Sequence, residues 1–350
     1  MTSTLAAARR RSARVEERTE VRPQSFRILT GDRPTGFLHL GHYFGTLRNR
    51  VRLQNAGVPL FVLIADYQAL TDRDTADAGY VPGLVLDYLA AGIDPARSVI
   101  FAHSAVPELN QLLVPFLSLV TVPELQRNPT VKDEIAHSRQ ASVSGLMFSY
   151  PVHQAADILA VKGNLVPVGQ DQLPHVEVTR LIARRFNERY PGAAGPVFPE
   201  PEALLSDAPL LLGTDGGKMS KSRGNAIELR ATADETARLI QRARTDAVRR
   251  ISYDPGRRPE VSSLVLLAAL AAGADPVTVA DQIGDGGAAQ LKRTVTDAVN
   301  DRLAPLRARR AELAADPGYV RQVLRDGASR ARTVAAATLD EVRDAMGTRY

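Results

Sequence analysis

Thr30-Gly31-Asp32-Arg33-Pro34-Thr35-Gly36-Phe37-Leu38-His39-Leu40-Gly41-His42-Tyr43 follows a short apolar run, Phe26 to Leu29, and opens into a helical pattern through Leu47. A buried strand, a glycine turn and a helix in that order read as the first unit of a parallel sheet. In such sheets ligands sit beyond the carboxyl ends of the strands, and phosphate meets backbone N–H groups at a helix N-terminus. Gly31 and Gly36 allow the tight turn, and Gly41 opens one helix face to a flat adenine. His39 and His42 are three residues apart on one face, placed to donate hydrogen bonds to a triphosphate. A histidine pair alone would read as capping or packing; the glycines around it favour the nucleotide.

Outward from this unit, Leu60 to Ala65, Val99 to Ala102 and Asn164 to Val168 have strand length and alternate with helical patterns such as Gly83 to Leu89. The expected fold is α/β, a doubly wound parallel-sheet (Rossmann-like) nucleotide-binding domain. After Ile227 the strand signal fades. Residues 230 to 345 are rich in Ala, Leu and Arg at helical spacing, broken at Asp254-Pro255-Gly256, Gly284 to Gly287 and Asp316-Pro317-Gly318, which predicts a smaller all-helical domain. The expected boundaries are 1–26, a basic and disordered extension; 27–228, the catalytic domain, rejoined by a returning helix at about 320–350; and 229–319, the helical domain.

Composition narrows the partners. With 44% hydrophobic residues over 350, the chain can bury a sizeable core. No apolar run approaches the roughly 18 residues of a membrane helix, so no membrane partner is expected. The absence of cysteine excludes disulfides and thiolate metal sites and fits a reducing, cytoplasmic setting. The net charge of +5 permits a polyanionic partner without pointing to DNA, and residues 1–26, with six arginines against three glutamates, supply most of it. His103, His137, His153 and His175 show no metal-ligand spacing and read as structural; no metal site is expected.

A second motif lies two-thirds along the chain: Asp215-Gly216-Gly217-Lys218-Met219-Ser220-Lys221-Ser222. Attack of a carboxylate on an α-phosphate spreads negative charge over the phosphoryl oxygens and the departing pyrophosphate, which mobile ammonium groups stabilise together with magnesium. Lys218 and Lys221 suit that task, the glycines let the loop close, and Ser220 and Ser222 add hydroxyl donors.

The paired motifs resemble the signatures of class I aminoacyl-tRNA synthetases, and the resemblance sharpens to the tryptophanyl-tRNA synthetases over about Phe26 to Met346. It is carried by Gly31 to Gly45, Ser104-Ala105-Val106-Pro107-Glu108, Tyr150-Pro151, Ala155-Ala156-Asp157-Ile158-Leu159 and Val166-Pro167-Val168-Gly169-Gln170-Asp171-Gln172. The resemblance implies activation of L-tryptophan with ATP carried as its Mg2+ complex, transfer to tRNA(Trp), and a homodimer. It implies His39, His42, Lys218 and Lys221 as catalytic residues. ATP would be bound by these together with Gly31, Arg33, Gly41, Gly169, Asp171, Met219, Ser220 and Ser222. For tryptophan, Asp157 would accept the indole N–H, Tyr150 and Gln172 would hold the amino group, Val166 and Val168 would line the indole pocket, and Gln68 and Gln154 would face the substrate. A buried carboxylate opposite an N–H donor rejects side chains lacking that donor.

Four positions depart from the commonest bacterial pattern: Arg33 (often Gln), Gln68 (often His), Gln154 (often Met) and Glu134 (often Lys), with Lys132 as a substitute for the last. Together they look like a second bacterial subtype. Two basic groups in the helical region, Arg242, Arg244, Arg249, Arg250, Arg257 and Arg258, then Arg302, Arg307, Arg309 and Arg310, suit phosphate contact; the resemblance, not their charge, assigns anticodon recognition there. Rival readings are a tyrosyl-specific relative, a binding paralogue without charging activity, and a nucleotidylyltransferase using the same histidine turn.

Overall fold

The computed structural model describes residues 2–71, 79–132, 143–169, 172–193, 195–205, 211–220 and 223–350. Five parallel strands, β1 (Ile28–Asp32), β2 (Leu60–Ile64), β3 (Ser98–Ala102), β4 (Leu165–Val168) and β5 (Glu202–Leu205), lie in the order β3-β2-β1-β4-β5. Alternate strand residues enter two different cores. Ile28, Leu60, Val62, Ile64, Ile100 and Leu165 face one, and Leu29, Phe61, Leu63, Val99, Phe101 and Val166 the other. The sheet is therefore covered on both faces, which is why its strands read as continuous apolar runs rather than as alternating ones. β5, after Pro201 and only four residues long, carries too short a signal to stand out in the sequence.

The first core is closed by helices that follow the strands, α3 (Arg48–Asn55) and α4 (Tyr80–Ala91), and by four from the C-terminal third: α10 (Ala233–Arg242), α11 (Pro259–Ala272), α12 (Pro276–Ile283) and α13 (Gly287–Ala314). The second is closed by α5 (Pro107–Gln111), α6 (Leu113–Leu117), α7 (Val122–Arg127), α8 (Gly145–Ala160) and α9 (Leu173–Arg189). Asp254-Pro255-Gly256 lies in a turn and Gly284–Gly286 forms a 3-10 turn, as their glycine and proline content predicts. Among the described residues no single helix is long and apolar enough to cross a membrane.

α14 (Pro317–Met346) passes from one core to the other around the β3 edge: Val320 and Val323 belong to the first, Ala331, Ala335, Leu339 and Val342 to the second. Gly327 marks the crossing, where a Cβ would stand 1.8 Å from the Ile100 carbonyl oxygen. Arg330 donates to the outward Ser98 carbonyl at 3.1 Å.

The basic N-terminal segment, expected to be disordered, is instead a helix, α1 (Thr2–Val21), laid across the β5 edge. Ala8 packs on the second core and Val15 on the first, while Ser12 Oγ between them accepts from the Leu205 N–H at 2.9 Å. Two of its arginines pair with neighbours, Arg18 with Glu202 at 2.8 Å and Arg11 with Glu177 at 3.9 Å, and its Glu16 pairs with Arg52 at 2.6 Å. The stripe Ala8, Ser12, Val15, Thr19 has helical spacing but small and polar members, so composition hides it.

Candidate active site

Strand order reverses at β1, and β1 and β4 pair only at Ile28↔Leu165. Beyond that pair their carboxyl ends separate, and the gap is a cleft of about 330 Å³, at the switch point where such sheets bind ligands. Gly31, Asp32 and Arg33 enter from β1 and its turn, Val166, Val168, Gly169 and Gln172 from β4 and the start of α9, and Tyr150, Gln154 and Asp157 from α8; Gln68 and His42 complete it. Of the residues expected to bind tryptophan, all seven line this one cleft. Asp171, Lys221 and Ser222, with Glu134 and His137, lie outside the described residues.

The cleft has one end at the histidine turn and one apolar end. At the first, α2 (Leu40–His42) begins a reciprocal cap: His39 Nδ1 accepts from the Gly41 N–H at 3.2 Å, and His42 Nδ1 from the His39 N–H at 3.3 Å. The capping role that a histidine pair suggests is thus present, and it fixes both rings, whose centroids are 3.9 Å apart. A π-helical turn, Tyr43–Leu47, joins α2 to α3, a local irregularity frequent at functional sites. Gly31 is obligatory for packing, since a Cβ there would lie 2.3 Å from the Leu63 carbonyl oxygen.

The two motifs, distant in sequence, meet through backbone. Leu40 N–H donates to Ile227 O at 3.0 Å and Leu229 N–H to Leu38 O at 2.9 Å, around an isolated antiparallel bridge, His39↔Glu228, between the histidine turn and the segment that follows the lysine loop. Buried Met219 reaches the same turn: a Cβ on Gly41 would stand 3.7 Å from its sulfur. Lys218 is exposed, and His39, Gly41, Lys218, Met219 and Ser220 do not line the cleft itself.

Asn225, which the sequence reading passed over, organises the lysine loop. Its Oδ1 accepts from the Ser220 N–H at 2.8 Å, and its Nδ2 donates to Asp215 Oδ1 at 2.7 Å and to Lys218 O at 3.1 Å. The Gly224-Asn225 turn signal after the lysines was the available clue. Asn225→Ala is expected to loosen this loop and to lower stability by about 1–3 kcal/mol, the cost of leaving buried partners unmet, and denaturant unfolding beside the wild type checks it.

Two buried ion pairs brace the histidine turn. Arg50 on α3, 2% exposed, donates to Asp32 Oδ2 at 2.6 Å and to Gly31 O at 3.4 Å, and Tyr88 OH donates to the same carboxylate at 2.7 Å. Burial alone would raise the Asp32 carboxyl, but Arg50, His42 and the hydrogen bonds of Arg50 and Tyr88 outweigh it and hold it well below the usual range. Asp87 on α4, fully buried, accepts from the Leu38 N–H at 3.3 Å and from Arg310 on α13 at 2.7 Å. Arg310 therefore serves as a strut rather than a phosphate contact. So do two other arginines of the basic groups: Arg258 pairs with Asp246 at 2.7 Å, and Arg307 donates to Asn300 and Thr236, both at 2.8 Å.

At the apolar end Asp157 is 1% exposed, and its Oδ2 accepts from Gln68 Nε2 at 2.7 Å. Burial, reinforced by Asp66 and only partly offset by Gln68, pushes its carboxyl well above the ordinary value. Tyr150 OH is 2.9 Å from His175 Nε2. Arg33, one of the departures, donates to Thr71 Oγ1 at 3.1 Å on the cleft wall.

The family model described as tRNA synthetases class I (W and Y) matches residues 22–304. The chain belongs to that family. Among its relatives, the tryptophan–tRNA ligase of Treponema pallidum (strain Nichols) is 44% identical over 333 residues, covering 92% of this chain and 96% of the relative. That of Streptococcus pyogenes serotype M1 is 44% identical over 338 residues, covering 92% and 98%. A solved tryptophanyl-tRNA synthetase from Campylobacter jejuni, complexed with ADP and tryptophan, superposes with a TM-score of 0.78 at 30% identity over 92% of this chain and 100% of that one.

Proposed function

We propose that this chain activates L-tryptophan with ATP to tryptophanyl-adenylate and pyrophosphate, and passes the aminoacyl group to tRNA(Trp). One observation carries the choice of amino acid: a buried carboxylate, Asp157, at the end of a cleft walled by Val166, Val168 and Ile158. An indole offers a large apolar surface and one N–H donor, the complement of that floor. A phenyl ring would offer the carboxylate no donor.

The amino-acid carboxylate attacks the α-phosphate in line, and pyrophosphate departs. Orientation supplies most of the acceleration, so no general base is required. His39 and His42 face the triphosphate, Gly31, Gly41 and Gly169 admit adenosine, and Asp171 takes the ribose. Lys218 and Lys221, with Met219, Ser220 and Ser222 on the same loop, close over the phosphates, and magnesium arrives on ATP as part of the substrate. Arg33 adds a fixed cation. Tyr150 and Gln172 hold the substrate's amino group, and Gln68 and Gln154 flank the indole.

The helical region, 229–319, takes the anticodon, and α14 returns to the catalytic domain. Val114, Leu117 and Val122, exposed on α6 and α7, support a homodimer through that face. The setting is cytoplasmic. The test is tryptophan-dependent exchange of labelled pyrophosphate into ATP, beside tyrosine and phenylalanine. Exchange with tryptophan alone is expected; exchange with none, or with tyrosine in preference, overturns the reading.

A further inference from the structure

Four buried polar atoms without an aligned hydrogen-bond partner collect behind the apolar end of the cleft: Nδ1 and Nε2 of His103, Nδ1 of His153 and Oδ1 of Asp157. His103 sits on the 3-10 turn after β3 (His103–Ala105), and His153 lies on α8, one turn before Asp157. The two imidazoles stack at 4.3 Å with planes 24° apart, and His153 Nε2 pairs with Asn110 Oδ1 at 2.8 Å. The second ring is anchored on α5, and the first leans on it. His103 Nε2 is then 3.2 Å from Asp157 Oδ1, the oxygen that Gln68 does not use.

Ligand atoms of His103, His153 and Asp157 all lie within 4.8 Å of one another. The lone pairs of stacked imidazoles lie in near-parallel planes 4.3 Å apart, however, whereas a shared ion needs them to converge. The arrangement suits a different task. We propose that His103, braced by His153, is the positioning residue for Asp157: with the indole bound, its Nε2–H turns onto Oδ1, 3.2 Å away, while Gln68 holds Oδ2, fixing the carboxylate plane with a lone pair aimed at the indole N–H. The inference rests on Asp157 being the indole acceptor.

Burial, with the neighbouring His153, brings His103 down to about 3, and burial brings His153 down to about 4, so both rings are neutral at physiological pH. A neutral ring can donate without neutralising the carboxylate. Asp157 is faced by Asp66 and Gln68 from the segment after β2, by His103 from the turn after β3 and by His153 from its own helix, and the Tyr67 ring lies 5.4 Å from His103. Hydrogen bonds to the ionised form lower a carboxyl pKa. Losing the His103 donor raises that of Asp157, and the acid limb of kcat/KM for tryptophan moves to higher pH.

The test compares His103→Phe, which keeps an aromatic ring on His153 and removes the donor, with His103→Gln, which returns an N–H. Tryptophan-dependent pyrophosphate exchange is followed between about pH 5.5 and 8.5. For the phenylalanine variant, KM for tryptophan is expected to rise about tenfold or more, with kcat and KM for ATP near wild type and the acid limb shifted upward. Glutamine is expected to restore most of both. His153→Leu, which removes the brace alone, should shift the same quantities less and serves if His103→Phe does not fold. A His103→Phe enzyme with wild-type KM and acid limb, a glutamine variant no better than phenylalanine, or matched losses in kcat and both KM values would overturn the inference. Asp157→Asn in parallel separates the two readings. If it spares tryptophan selectivity, the role of Asp157 fails; if it impairs selectivity while His103→Phe does not, only the positioning role falls.

Discussion

Asp157→Asn is expected to lower kcat/KM for tryptophan by about a hundredfold to ten-thousandfold, the range for a site built to hydrogen-bond one donor and then denied it. The substitution is nearly isosteric, so the loss comes from hydrogen-bond polarity. Gln68 donates to one carboxylate oxygen at 2.7 Å. In the amide it would claim the single oxygen and turn the NH2 toward the indole N–H, donor against donor. Stability is expected to move the other way. Because the folded protein raises the Asp157 carboxyl, chiefly by burial, it holds that proton more tightly than the unfolded chain. Its contribution to stability therefore falls as pH rises above the ordinary carboxylate range. Removing the buried charge should leave Tm at pH 7 unchanged or raised. Pyrophosphate exchange and a melting curve on the same preparation read both; a fall in Tm that parallels the fall in activity would point to misfolding instead.

Arg50→Ala should destabilise the fold by about 3–5 kcal/mol, the cost of leaving one member of a buried ion pair alone. The side chain is 2% exposed and serves both Asp32 and the Gly31 carbonyl beneath the histidine turn. The pH dependence identifies the pair. Asp32 is held below its unfolded value, so its stabilising contribution is present above about pH 4 and is lost as pH falls through the depressed folded value. In Arg50→Ala that acid-side loss should largely vanish, because the partner that depressed the carboxyl is gone. Denaturant unfolding at pH 7 and near the acid limit measures both; wild-type stability at pH 7 would show that the pair is redundant.

The sheet was legible because buried parallel strands announce themselves: Leu60 to Ala65 and Val99 to Ala102 are apolar throughout, and Gly31 and Gly36 mark the turn. The cleft residues were legible through the family resemblance, and the fold then brings Tyr150, Gln154 and Asp157 on α8 together with Val166 and Val168 on β4 and Gln172 at the start of α9. What escaped was whatever depends on partners distant in the chain. The stripe of α1 is too small and polar to read as buried until β5 lies beneath it. Asn225 looks like any turn residue until Ser220, Asp215 and Lys218 are folded around it. His103 and His153 are 50 residues apart with no motif between them, and only the packing of α8 on the turn after β3 stacks their rings. Arg310 reads as a surface charge until α13 delivers it to Asp87.

The two helices that wrap the sheet edges also set an order of events during synthesis. β3 emerges from the ribosome more than two hundred residues before α14, the helix that crosses its outer side at Gly327. Through that interval the strand's outward carbonyls, Ser98 among them, face solvent or another nascent chain, because Arg330 has not yet been made. An open parallel edge of that kind is a template for intermolecular pairing. α1 is made first but has no edge to cover until β5 appears. The sheet is thus sealed late and from both flanks.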